Sequence, residues 1–129
     1  MTLQERSSPS NNIKFAEYQK TKEHYLSNAK ETIQKKEFRK ASELLWGVVT
    51  QEIKAIAILK GFTLSSHGEM EKFIKRIVYE TGDKRIFDLF SQMEFLHKNF
   101  YDKKIEDKHF NSYYSQVFEF LGRMEKLRS

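Results

Sequence analysis

Residues 38–60 read FRKASELLWGVVTQEIKAIAILK, and the periodicity of this stretch decides the fold. Successive residues of an α-helix turn by about 100°. On that wheel Ala41, Leu44, Leu45, Val48, Val49, Ile53, Ala55, Ile56, Ala57 and Leu59 cover well over half the circumference. A helix apolar on most of its sides belongs in the middle of a bundle, with neighbours around it. Its polar strip is narrow: Lys40, Glu43, Gly47, Thr50 and Lys54. Gly61 stops it, because glycine accepts the left-handed conformation just past a helix end.

On the N-terminal side, Phe15, Tyr18, Tyr25, Leu26, Ala29 and Ile33 share one arc and predict an amphipathic helix from near Asn12 to Lys36. Residues Met1 to Asn12 lack the apolar centre of a signal peptide and read as a flexible tail before a single domain of residues 13–129. On the C-terminal side, Ser66-His67-Gly68-Glu69 has the spacing of a capping box, in which serine and glutamate side chains satisfy orphan amides. It opens a short third helix with Met70, Phe73, Ile74, Ile77 and Val78 inward, ended by Thr81-Gly82. Asp83 is placed to cap a fourth helix reaching about Asp102, whose inward face is Ile86, Leu89, Phe90, Met93, Leu96, His97, Phe100 and Tyr101. Asp107 is placed to cap a fifth, carrying Phe110, Tyr113, Tyr114, Val117, Phe118, Phe120, Leu121, Met124 and Leu127 on one broad face. No stretch alternates as a half-buried strand does. The expected fold is all-α, an up-and-down antiparallel bundle of four main helices plus one short helix.

Composition agrees. A chain of 129 residues is one domain that buries roughly two-thirds of its unfolded surface. Its 11 Phe and 6 Tyr supply bulky packing, and a single Pro leaves long helices uninterrupted. With no Cys, disulfides, thiol catalysis and cysteine-based zinc sites are excluded. No apolar run is long enough for a membrane span, so a cytoplasmic location is the default expectation. The net charge of +5 comes from Lys and Glu interleaved along the helices, the pattern of a solvated face rather than a basic stripe for nucleic acid.

Tyr25-Leu26, Ala29, Phe38 and Ala41 look like half of a tetratricopeptide hairpin, but no second copy follows at that repeat's period, so a solenoid is rejected. Two other blocks carry a closer likeness. The segment from Ala41 through Trp46-Gly47-Val48-Val49 to Ile53-Lys54-Ala55-Ile56-Ala57 resembles the second helix of the archaeal PaREP family. Leu96-His97-Lys98-Asn99-Phe100-Tyr101 resembles that family's later LH-x-N-F-Y segment. The family itself looks like a branch of the HEPN superfamily of helical nucleotide-binding domains. That resemblance implies an antiparallel, HEPN-like bundle forming a homodimer, with RNA or a nucleotidyltransferase-type protein as partner. It also implies a ribonuclease motif in which an arginine and a following histidine are separated by four to six intervening residues. Here the positions that would hold the arginine before His97 are Phe90, Ser91 and Gln92. Arg85 lies about 18 Å and 120° away along the same helix, so the two side chains cannot converge on one phosphate.

The candidate residues therefore carry alternative readings. His97, in the apolar arc of its helix, is a core histidine satisfied by one hydrogen bond, or a general acid/base with Glu94, Lys98 and Tyr101 beside it. No second histidine or carboxylate stands at a metal-ligand spacing around it, so neither a metal nor another cofactor is expected. Glu52 sits inside the apolar arc of the second helix, where an unpaired carboxylate is costly; a Glu52–His97 or Glu52–Tyr pair would relieve it, as would a gap reaching water. Phe95, pointing away from the inward arc, and Trp46, at the edge of its own, suggest an interface with a partner; Trp46 is alternatively core packing or a base-stacking surface. Three functions follow: a dimerising partner- or RNA-binding module without the arginine–histidine motif, a metal-independent ribonuclease using His97 with a nonstandard partner (Lys98, Glu94 or Arg39, Arg76 or Arg123 of a second subunit), and a structural or antitoxin-like protein.

Overall fold

The computed structural model describes residues 8–99 and 105–128. These form five helices in chain order, α1 (Pro9–Gln34), α2 (Phe38–Leu59), α3 (His67–Thr81), α4 (Lys84–Asn99) and α5 (Asp107–Glu125), closed by a 3₁₀ turn at Lys126–Arg128. No strand occurs among the described residues. The all-α bundle expected from periodicity is the fold observed.

As its wide apolar arc requires, α2 is central, packing against α1, α3, α4 and α5. Ala41, Leu45, Val48, Val49, Ile53, Ala55, Ile56 and Ala57 are all completely buried. Phe73, Ile74 and Ile77 from α3, Ile86, Leu89, Phe90 and Met93 from α4, and Phe110, Tyr113, Val117, Phe120 and Met124 from α5 close the core around it. Each large apolar side chain withdrawn from water in this way stabilises the fold by about 1.5–3 kcal/mol. The Tyr113 hydroxyl donates to the Ser42 carbonyl at 3.3 Å, and burial pushes its pKa up.

Among the described residues α1 packs on α2, with Arg128 of the C-terminal turn also reaching its Gln19 and Phe15. Only Ala29 and Thr32 of its side chains are buried. The two helices approach closely at Gly47, where a Cβ would stand 2.9 Å from Cδ2 of Tyr25. Gly47, on the strip read as polar, thus seats an aromatic ring.

Several boundaries differ from the sequence expectation for identifiable reasons. α1 begins at Pro9 rather than near Asn12, because the Ser8 side chain accepts the Asn11 amide at 3.1 Å and proline suits the first helical turn. It ends at Gln34 in a Schellman turn: the Glu37 and Lys36 amides donate to the Thr32 and Ile33 carbonyls, both at 2.9 Å, with Lys36 left-handed at φ 57°. Gly61, at φ 88°, closes α2 through the same pattern, with Phe62 and Gly61 donating to Ala57 and Ile58. Ser66 caps α3 by accepting the Glu69 amide at 3.2 Å. The reciprocal arm is displaced: the Glu69 carboxylate takes the Ser65 amide at 2.7 Å and its hydroxyl at 2.6 Å, which hold the Glu69 pKa below its usual value. Asp83 accepts the Arg85 amide as expected. Asp107, expected to be the α5 cap, is its first helical residue, and Glu106 takes the cap position without a side-chain bond. The acidic group still lies in the turn where the helix dipole favours it. Phe118, expected inward, is 37% exposed and packs on Tyr114.

Candidate functional site

Three helices bring a group of aromatic and titratable side chains together around Phe90. From α2, Trp46 lies at the edge of the apolar arc, half-buried, one turn after exposed Glu43. From α4, Phe90, Glu94 and His97 recur at helical spacing and share a face. From α3, His67 stands at the first helical position, just after its Ser66 cap. The rings form a series: His67 stacks on Phe90 at 6.0 Å, Phe90 meets Trp46 at 5.8 Å, and Trp46 stacks on His97 at 5.3 Å with planes 18° apart.

His97 is half-buried, and its Nδ1 is enclosed without a hydrogen-bond partner among the described residues. Burial holds its pKa below the ordinary 6.5; the Glu43 carboxylate pulls it back up, and the adjacent Lys98 ammonium pushes it down further. The ring is therefore predominantly neutral at neutral pH, able to accept a proton but not to act as a standing cation. The Glu94 carboxylate is in direct contact with His67 Nε2. Lys98 is exposed. Tyr101, the fourth member of the expected site, lies outside the described residues, as does Phe100 of the inward face.

The expected Glu52–His97 pair is not formed. Glu52 is indeed buried, at 1% exposure, but its carboxylate faces α1 and the C-terminal turn. It accepts Lys22 Nζ at 3.0 Å, Gln19 Nε2 at 2.9 Å and Arg128 Nη2 at 3.0 and 3.1 Å. Arg128 also donates to Gln19 Oε1 at 2.9 Å and lies over the Phe15 ring. Glu52 is a charge centre satisfied by one ammonium, one guanidinium and one amide. His97 takes an aromatic partner instead.

Arg76, Arg85 and Arg123, like Arg128, are committed elsewhere. Arg85 forks onto Glu119 through Nε and Nη2, both at 2.9 Å. Arg123 bridges Asp83, at 2.9 and 3.0 Å, to Glu119, at 3.1 Å. Clasped by these two, the Glu119 carboxyl has its pKa pulled down to about 2, and the start of α4 is tied to α5. Arg76 pairs with Glu80 and lies over Phe62.

Beyond Glu43, at the end of the bundle where α2 and α5 begin, a cavity of about 740 Å³ is lined by Lys36, Glu37, Phe38, Arg39, Lys40, Glu43, Ile105 and Asp107. Its acidic and basic groups match in number, so it lacks the uniform positive potential of a phosphate-binding groove. Phe95 projects from the opposite side of α4 and is 65% exposed. Among the described residues no three His, Asp or Glu side chains are arranged to hold a metal ion, and no helix is long and apolar enough to cross a membrane.

His67 was missed by sequence reasoning, which saw there only the interior of a capping box. Its contact with Glu94 depends on how α3 and α4 cross, and residue spacing carries no signal of that.

The fold and site define a small helical-bundle protein with a histidine stacked on tryptophan where α4 meets α2. The chain belongs to the archaeal PaREP1/PaREP8 family, whose model matches residues 17–121, from the third turn of α1 to the last turns of α5. No curated protein and no solved structure matches the chain.

Proposed function

We propose that this protein is a HEPN-like, homodimerising module that binds a partner without cutting RNA by the arginine–histidine mechanism. The observation that carries this reading is the state of His97: its ring is stacked on Trp46, and Arg76, Arg85, Arg123 and Arg128 are each engaged by carboxylates. The guanidinium that would grip a scissile phosphate is thus absent from the histidine's own helix face. Phe95 on the outer face of α4 supplies an exposed aromatic anchor for a second copy. The balanced charges at the cavity favour a protein partner, of the nucleotidyltransferase type, over RNA.

Sedimentation of the purified chain, with Phe95→Ser as comparison, tests the dimer: a monomer at micromolar concentration refutes it. Incubation with mixed RNA tests the rest. Salt-sensitive binding without cleavage makes RNA the partner; neither binding nor cleavage leaves the protein partner or a structural, antitoxin-like role.

A second reading, a metal-independent ribonuclease, is favoured by one observation, the lowered pKa of His97 with Lys98 next to it. A neutral imidazole is a competent general base. RNA cleavage abolished by His97→Ala would establish this reading and displace the first.

A further inference from the structure

The last described turn of α4 rests on α2 through an imidazole lying flat on an indole. His97 is half-buried with an enclosed, unbonded Nδ1, so a proton on its ring enters a poorly solvated place. One turn back, the Glu94 carboxylate touches His67, a contact that ties α4 to α3. Among the described residues the charged groups around His97 come from α2, α3, α4 and α5. Glu43 of α2 favours its cation and Lys98 opposes it; Glu94 is engaged by His67 of α3; Asp107 of α5 faces the cavity it shares with Glu43. An indole face attracts a cation by about 0.5–2 kcal/mol. The enclosed Nδ1 offers an added proton no acceptor among the described residues, and burial, the largest influence on this ring, works against that attraction while Glu43 works with it.

We propose that the His97–Trp46 stack is an acid-sensitive clasp: protonating His97 lifts the last turn of α4 off α2 and uncovers the Trp46 indole, while the His67–Glu94 contact keeps the rest of α4 seated. The uncovered indole, with Phe90 beneath it, is then an aromatic surface available only under mildly acidic conditions.

The chain contains a single Trp, so its emission reports Trp46 alone. The full chain is titrated from about pH 8 to about pH 5, the range in which imidazoles change charge. The expected result is a red shift of emission and a rise in acrylamide quenching with a midpoint below 6.5, while far-ultraviolet ellipticity stays constant. His97→Leu and His97→Gln both abolish the transition; the second keeps a polar side chain if the first fails to fold. His67→Asn leaves the midpoint in place. Constant acrylamide access, including a loss of intensity without added access, overturns the clasp, because the cation then stays stacked. So does a transition that survives in a folded His97 variant, moves with His67→Asn, or coincides with loss of helix.

Discussion

Replacing Arg128 with Met tests the buried charge centre at Glu52. The substitution preserves much of the aliphatic bulk beside Phe15 and deletes the guanidinium. Glu52 loses the two contacts from Arg128 Nη2, at 3.0 and 3.1 Å, and keeps Lys22 and Gln19. Removing one partner of a buried ion pair costs about 3–5 kcal/mol when the remaining charge has no other support. Here Lys22 still neutralises the carboxylate, and Arg128 is 28% exposed, so water already screens part of the interaction. A loss of about 2 kcal/mol is therefore expected. For a chain of this size that lowers Tm by roughly 8 °C. Urea melts of the wild type, Arg128→Met, Glu52→Gln and the double variant form the cycle that isolates the pair, with an expected coupling of about 1.5 kcal/mol. Amide exchange along α1 should accelerate around Gln19 and Lys22, since the Glu52–Arg128 group is what joins this part of α1 to α2 and the C-terminal turn. A coupling under about 0.5 kcal/mol would place the pair with ordinary surface salt bridges and refute the assignment of Glu52 as the anchor of α1.

Gly47→Leu should destabilise by about 2 kcal/mol, because even its Cβ stands 2.9 Å from the Tyr25 ring; pairing it with Tyr25→Ala should recover part of the loss in the same melts. Leu45→Ala, at a completely buried position of the central helix, should cost about 2–5 kcal/mol in chemical denaturation. Stability should fall as pH drops from 4.5 toward 2, because Glu119 has its pKa depressed in the fold to about 2 and the unfolded chain takes up the proton first; Glu119→Gln should flatten that limb of a pH series of melts. His97, also depressed, contributes stability that is complete above 6.5 and declines as pH falls through its folded pKa, so His97→Leu should flatten the curve on the acidic side of neutrality.

Much of the architecture was legible because helix periodicity and end signals are local. The arc of α2 stated its central place, and Gly61 and Gly82 marked helix ends that their positive φ angles require. The errors were local too: Ser8 and Pro9 form a start signal that was passed over, and the Lys36 turn uses a left-handed residue where glycine is usual. The site was legible only in part. His97 and Trp46 stood out as a polar group in an apolar arc and an aromatic at an arc's edge, and their joining fits both descriptions. Glu52 stood out as a carboxylate in an apolar arc; its neighbours are Lys22, Gln19 and Arg128 rather than His97.

The amino-acid sequence by itself determined that the chain is a helical bundle, which helix lies at its centre, and that the arginine expected before His97 is missing. These follow from residue type and spacing within one helix. Only the tertiary structure decided who partners whom: Glu52 with Lys22, Gln19 and Arg128, His97 with Trp46, and His67 with Glu94. Those pairings join residues about 30 to 80 positions apart, set by how helices cross and turn about their axes. A helical repeat says which face is buried; it carries no record of which neighbour the face will meet.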